Sequence, residues 1–112
     1  MKNAMGKIYD KLVRDKIPEH IRSKGQSPKT HVAGPAEYWQ KLKAKLREET
    51  DEFLASETIE EMADIQEVLG AICRHQRFSP KKIEAVRLAK AKERGSFKKK
   101  IILEEVRTIK KI

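Results

Sequence analysis

Residues 48–64 read EETDEFLASETIEEMAD, and their reading decides the fold. The stretch carries Glu48, Glu49 and Glu52 on one side of Ser56, and Glu61 and Asp64 on the other. Apolar residues at helical spacing run into it from Trp39, Leu42 and Leu46 and on to Phe53. They leave it again through Ile65, Val68 and Ile72. The spacing predicts a long helix over about Pro35–Ser56, then a second over about Glu57–Arg77 with Ser56 as its N-cap. A link that short makes the two helices pack antiparallel.

Helix geometry turns the spacing into direction, at ~100° per residue. With Leu42 as zero, Leu46 lies at about +40° and Phe53 at about +20°. Glu49 falls at about −20°, inside the apolar stripe, with Glu52 at about −80° on its edge and Glu48 at about −120°. A carboxylate at position 49 has to be paired or metal-bound, because an isolated buried charge costs several kcal/mol or more. Glu61 and Asp64 project from the edge of the stripe Ile65, Val68 and Ile72. Glu49, Glu52, Glu61 and Asp64 therefore converge near the hairpin end. Four carboxylates with no His or Cys suit a hard cation, Mg²⁺ first and Mn²⁺ second. The competing reading is an ion pair between Glu49 and a Lys or Arg from a flank. Asp51, Glu57, Glu60 and Glu67 are expected to face solvent, as is Glu48 on spacing alone.

The rest of the chain reads outward from the hairpin. Pro18 opens a short helix through Arg22, closed at Lys24-Gly25, and residues 26–34 form a loop. Ser79-Pro80 is an N-cap and first-turn pair for a further helix over about Pro80–Arg94, stopped by Gly95. Ile101, Ile102, Leu103 and Val106 suit a short strand or an extended arm, with Ile8–Val13 as its partner. The expected class is all-α: a bundle of three to four helices built on the hairpin, as one domain over residues 1–112. The second hairpin helix is apolar over most of its circumference, which predicts a homodimer or homotetramer that covers it.

Composition sets limits on partners. The 112 residues hold 26 Lys and Arg against 17 Asp and Glu, a net charge of +9. The average hides a pattern: residues 48–67 carry nine acidic side chains and no basic one, while residues 1–47 and 79–112 each carry a net +8. A nucleic-acid-binding module is the alternative that the basic flanks raise. The acidic centre and an aromatic content of only 5% speak against it. No apolar run approaches ~20 residues, so no membrane span is expected. The opening MKNAMGKIYD has no apolar core and is not expected to act as a leader. Cys73 is the lone cysteine, which excludes an internal disulfide and fits a reducing, cytoplasmic setting. It is expected to be a small buried hydrophobe, and His20, His31 and His75 to be surface or packing residues.

Three motifs in this sequence carry a resemblance. Glu48-Glu49-x-x-Glu52 followed by Glu61-x-x-Asp64 is similar to the EExxE…ExxD signature of the all-α nucleoside triphosphate pyrophosphohydrolases. That superfamily includes MazG-like, dimeric dUTPase-like and phosphoribosyl-ATP pyrophosphohydrolase-like enzymes. Lys11–Pro18, KLVRDKIP, resembles the opening of a small phosphoribosyl-ATP pyrophosphohydrolase-like branch. Arg94-Gly95-Ser96-Phe97 with Ile102-Leu103 resembles the RGxF segment of that branch. The likeness spans about Tyr9–Val106. The departures are a short spacer between the acid motifs, no fused second domain, and polar Thr50 and Gln66 at positions expected to be aliphatic.

The resemblance implies Mg²⁺-dependent hydrolysis of a nucleoside triphosphate to a monophosphate and pyrophosphate, with house-cleaning of non-standard nucleotides as one role. It also implies an oligomer with a four-helix core. Glu49, Glu52, Glu61 and Asp64 are then metal ligands, and Glu48 supports them or orients the attacking water. Catalytic candidates are Glu48 and Glu49. Lys11, Arg14 and Lys16 from the N-terminal flank, and Lys90, Arg94 and Lys98 around Gly95, are candidates for phosphate contacts. Asp15 is placed to orient Arg14. A nucleotide-binding regulator without turnover is a further alternative.

Overall fold

The computed structural model describes residues 6–109. The first five residues of the MKNAMGKIYD opening and the last three of the basic C-terminal flank lie outside the described residues. Four α-helices and no strand are present among the described residues: α1 Ile17–Ser23, α2 Pro35–Ser56, α3 Ile59–Gln76 and α4 Pro80–Arg94. The internal contacts form two compact units, Met1–Phe78 and Ser79–Ile112. The single domain expected over residues 1–112 comprises these two units.

The first unit is the α2–α3 hairpin with α1 and the irregular segment before it. Pro35 starts α2 because a first turn needs no N–H from that residue. The helix runs to Ser56, as its periodicity predicts. The link differs from expectation. Ser56 is the last residue of α2 and its hydroxyl bonds back to the Glu52 carbonyl. Glu57 takes the left-handed conformation at φ 55°, and its N–H closes on the Phe53 carbonyl at 2.7 Å. Thr58 is the N-cap of α3, its hydroxyl accepting the Glu61 N–H at 3.3 Å. A cap residue needs an extended backbone, which Thr58 has and helical Ser56 lacks. At the other end, α3 stops at Gln76 rather than Arg77. Arg77 is left-handed at φ 59°, and the Phe78 N–H reaches the Cys73 carbonyl at 2.9 Å. That closure satisfies the orphan carbonyls of the last turn without a glycine.

The hairpin core is small. Leu42 of α2 is fully buried and Val68 of α3 nearly so. Leu46, Phe53, Ile65 and Ile72 are half-buried beside them. Three further apolar residues of α3, Ile59, Met62 and Leu69, are exposed. Among the described residues, α3 is thus apolar on more than the side that packs on α2.

The second unit begins at Ser79, whose hydroxyl accepts the Lys82 N–H at 3.3 Å and caps α4. Gly95 closes the helix with φ 84°, a conformation that a side chain would strain. No residue of α4 is buried. The run Ile101, Ile102, Leu103 and Val106 is exposed and irregular, so of the strand or extended arm expected there the strand does not form. Residues 8–13 form no strand either.

Candidate metal centre

α2 supplies Glu48, Glu49 and Glu52, and α3 supplies Glu61 and Asp64. The antiparallel register that brings Trp39 to His75 also brings these acids together. Two carboxylate triads result, Glu48–Glu49–Glu52 and Glu49–Glu61–Asp64. Within each, one oxygen per residue lies within 4.8 Å of the others. Glu49 belongs to both. It is 6% exposed, as its place inside the apolar stripe predicts.

The partners of these carboxylates decide what the cluster can do. Lys45, one turn before Glu49 on the same helix, approaches Glu49 Oε1 at 3.1 Å and Glu48 Oε1 at 3.4 Å. The ion pair anticipated for Glu49 therefore exists, its cation coming from the part of the basic N-terminal flank that lies on α2 and reaching one oxygen only. Glu49 Oε2 and Glu61 Oε2 are buried with no hydrogen-bond partner among the described residues. Burying a carboxylate oxygen unpaired is costly, and two such atoms in one cluster fit a site that a cation completes. An all-oxygen donor set of this kind has the chemistry to hold a hard cation.

Charge crowding acts on the Glu52 carboxyl. Glu52 is exposed as a residue, yet desolvation of its carboxyl raises its pKa above the usual glutamate range. The nearness of Glu49 and Glu61 raises it further. Glu48 is moved the other way. The Lys11 ammonium donates to Glu48 Oε1 at 2.9 Å, lowering the Glu48 pKa and raising that of Lys11. Glu48 is half-buried and paired, not solvated as spacing alone suggests, because the N-terminal segment lies against it.

The N-terminal flank touches the acids directly. Arg14 Nη2 donates to Asp64 Oδ1 at 2.8 Å, and its other nitrogen is 3.9 Å from Glu67. The expected orienting role of Asp15 is not seen: Arg14 takes its ion pairs from α3. Lys16 is exposed at the start of α1 and forms no ion pair among the described residues. Lys90 and Arg94 of α4, and Lys98 after it, are exposed and belong to the second unit.

The remaining polar residues behave as packing or surface groups. His75 stacks on Trp39 with centroids 5.6 Å apart and meets the edge of Tyr38 at 5.2 Å. His31 pairs with Glu37 at 2.9 Å. Cys73 is a half-buried free thiol. Lys45 was missed as a site residue by the sequence reading. Its signal is its spacing of three and four residues before Glu48 and Glu49, the helical distance for ion pairs. Lys41, four residues earlier, donates to the Asp10 carbonyl, a contact 31 residues away that no local spacing signals.

No family model matches the chain, and no solved structure matches it. A protein of Mycolicibacterium smegmatis (strain ATCC 700084 / mc(2)155), described as an uncharacterized protein, is 49% identical over 47 residues. The matched stretch is 42% of this chain and 48% of that protein, so the likeness spans about half of the relative.

Proposed function

We propose that the chain is a Mg²⁺-dependent nucleoside triphosphate pyrophosphohydrolase. The observation that carries the reading is the pair of carboxylate triads sharing the buried Glu49, with Glu49 Oε2 and Glu61 Oε2 unpartnered among the described residues. The resemblance of the acid motifs and of KLVRDKIP supplies the reaction class. Glu49, Glu52, Glu61 and Asp64 hold the metal, with Glu48 at its margin. A divalent cation bound to them supplies charge neutralisation at the phosphates and a more acidic water.

The reaction consumes one water. Its oxygen attacks the α-phosphorus, the α–β phosphoanhydride P–O bond breaks, pyrophosphate leaves with the bond's electron pair, and the water's proton passes to solvent. Glu48, kept ionised by Lys11 and Lys45, accepts a hydrogen bond from the attacking water and orients it. Arg14 offers a guanidinium that exchanges Asp64 for a phosphate oxygen. Lys16, Lys90, Arg94 and Lys98 remain candidates for further phosphate contacts. The working unit is a homodimer or homotetramer in which a second copy covers Ile59, Met62 and Leu69 of α3. The lone Cys73 thiol suits the reducing cytoplasm.

The test is pyrophosphate release from a panel of ribo- and deoxyribonucleoside triphosphates with Mg²⁺. Turnover of at least one nucleotide is expected, and its loss in Asp64→Asn with the helical signal retained. No turnover on any nucleotide by folded protein overturns the reading. Sedimentation at micromolar concentration is expected to give an oligomer, and a monomer overturns that part.

A further inference from the structure

Residues 6–16 run along the hairpin as a strap that is neither helix nor strand. No amide of residues 6–13 donates a backbone hydrogen bond among the described residues. The apolar anchorage of the strap is slight: Leu12 is half-buried, while Ile8, Tyr9 and Val13 are exposed. Charge holds it instead. Lys11 reaches Glu48 on α2 at 2.9 Å, and Arg14 reaches Asp64 on α3 at 2.8 Å. The strap therefore crosses from one helix to the other at the acid cluster. Lys41 adds a hydrogen bond to the Asp10 carbonyl. Asp10 itself is left-handed at φ 44°, which a residue with a Cβ adopts at a cost.

The two anchoring ion pairs are open to solvent, with the Arg14 side chain 55% exposed and that of Asp64 37%. Exposed pairs hold weakly and are screened by salt. The strap also leaves part of the cluster untouched. Glu49 Oε2 and Glu61 Oε2 are buried, and no group of the strap pairs with them among the described residues. Each anchor has a double role. Asp64 is the partner of Arg14 and a member of one triad, and Glu48 is the partner of Lys11 and a member of the other.

We infer that the strap is a built-in counter-cation of the acid cluster, antagonistic to a divalent ion. Lys11 and Arg14 weaken the binding of the ion, and the bound ion loosens the strap from Glu48 and Asp64. The inference rests on the proposed metal centre for its ion and adds a regulation of that centre. Its cause is elementary: two cations that share one carboxylate repel each other. The coupling is reciprocal, so the factor by which the closed strap lowers ion affinity is the factor by which the ion lowers strap closure. In the ion-free protein the strap offsets part of the repulsion among the acids. Loading of the ion then opens the N-terminal segment.

The experiment uses the full chain and Mg²⁺ alone, without nucleotide and at constant ionic strength. By calorimetry, Arg14→Gln is expected to bind Mg²⁺ about threefold or more tighter than wild type. Lys29→Gln removes the same charge from an exposed loop and is expected to leave the affinity unchanged. The strap is read separately, by limited trypsin digestion and mass spectrometry. Cleavage after Lys11 in wild type is expected to quicken about threefold or more at saturating Mg²⁺. Should Arg14→Gln fail to fold, that digestion decides the matter. Equal or weaker Mg²⁺ binding by Arg14→Gln, an equal gain in Lys29→Gln, or cleavage after Lys11 that bound Mg²⁺ leaves unchanged or slows overturns the antagonism alone. Mg²⁺ binding with the strap response but no turnover of any nucleotide overturns the pyrophosphohydrolase reading alone. No Mg²⁺ binding by folded wild type overturns both.

Discussion

At the open end of the α2–α3 hairpin, His75 stacks on Trp39 and meets the edge of Tyr38. Ten residues further along α2, about 15 Å of helix, five carboxylates crowd the same pair of helices. The register is shared, but the two places are opposite in energy. The aromatic end is made of groups that attract each other. The acidic end is made of groups that repel, with two buried oxygens left without partners among the described residues. The contrast teaches where the hairpin draws its stability and where it stores its chemistry. The packing of Leu42, Val68 and the aromatic trio holds the helices together while the acids push them apart.

The largest expected effect falls on what joins the two ends. Leu42→Ala leaves a cavity at the one fully buried side chain, and such truncations cost about 2–5 kcal/mol. Chemical denaturation is the measurement. A cost below ~1 kcal/mol would break the picture of a core that supports the acid cluster.

Next comes the acidic end itself. Glu49→Gln removes the carboxylate shared by both triads. Supporting residues around metal ligands cost ~10–100-fold, so a shared ligand should cost at least ~100-fold in turnover. Thermal stability should hold or rise, because the variant removes a charge from a crowded cluster. Full turnover in this variant would sink the assignment of Glu49.

A smaller effect is expected at the aromatic end. His75→Ala removes one ring of a stacked pair, worth ~0.5–1.5 kcal/mol beyond its buried area. Melting temperature should fall while Mg²⁺ affinity, read by calorimetry, stays the same. A changed affinity would show that the two ends are not independent.

The smallest effect is electrostatic. The Glu52 pKa is raised in the folded chain, so the fold binds more protons there than the unfolded chain does. Stability from this group is present below the unfolded pKa and declines as pH rises through the folded one. Glu52→Gln should therefore stabilise the metal-free protein slightly at neutral pH and flatten its pH dependence across the acid range. A melting temperature that falls at neutral pH would contradict the crowding.

Periodicity and caps were strong guides to the helices where proline marks them. Pro35 and Ser79-Pro80 set the starts of α2 and α4, and Gly95 set the stop of α4. The link between α2 and α3 was less legible. Both Ser56 and Thr58 are competent caps, and Glu57 and Arg77 adopt left-handed conformations that sequence rules assign to glycine. The burial of Glu49 was legible because its direction falls within an apolar stripe. Its partner Lys45 was not, since a lysine one turn from a glutamate is equally at home on a solvated face.

The sequence by itself determined an all-helical chain, a hairpin joined near Ser56, and an acidic centre with Glu49 turned inward. Those properties follow from local spacing and from the geometry of a single helix. The tertiary structure decided how the charges are shared. It divided five acids into two triads with Glu49 in common, and laid Lys11 on Glu48 and Arg14 on Asp64. Partners 37 and 50 residues apart in the chain are chosen by packing, and no local pattern encodes that choice.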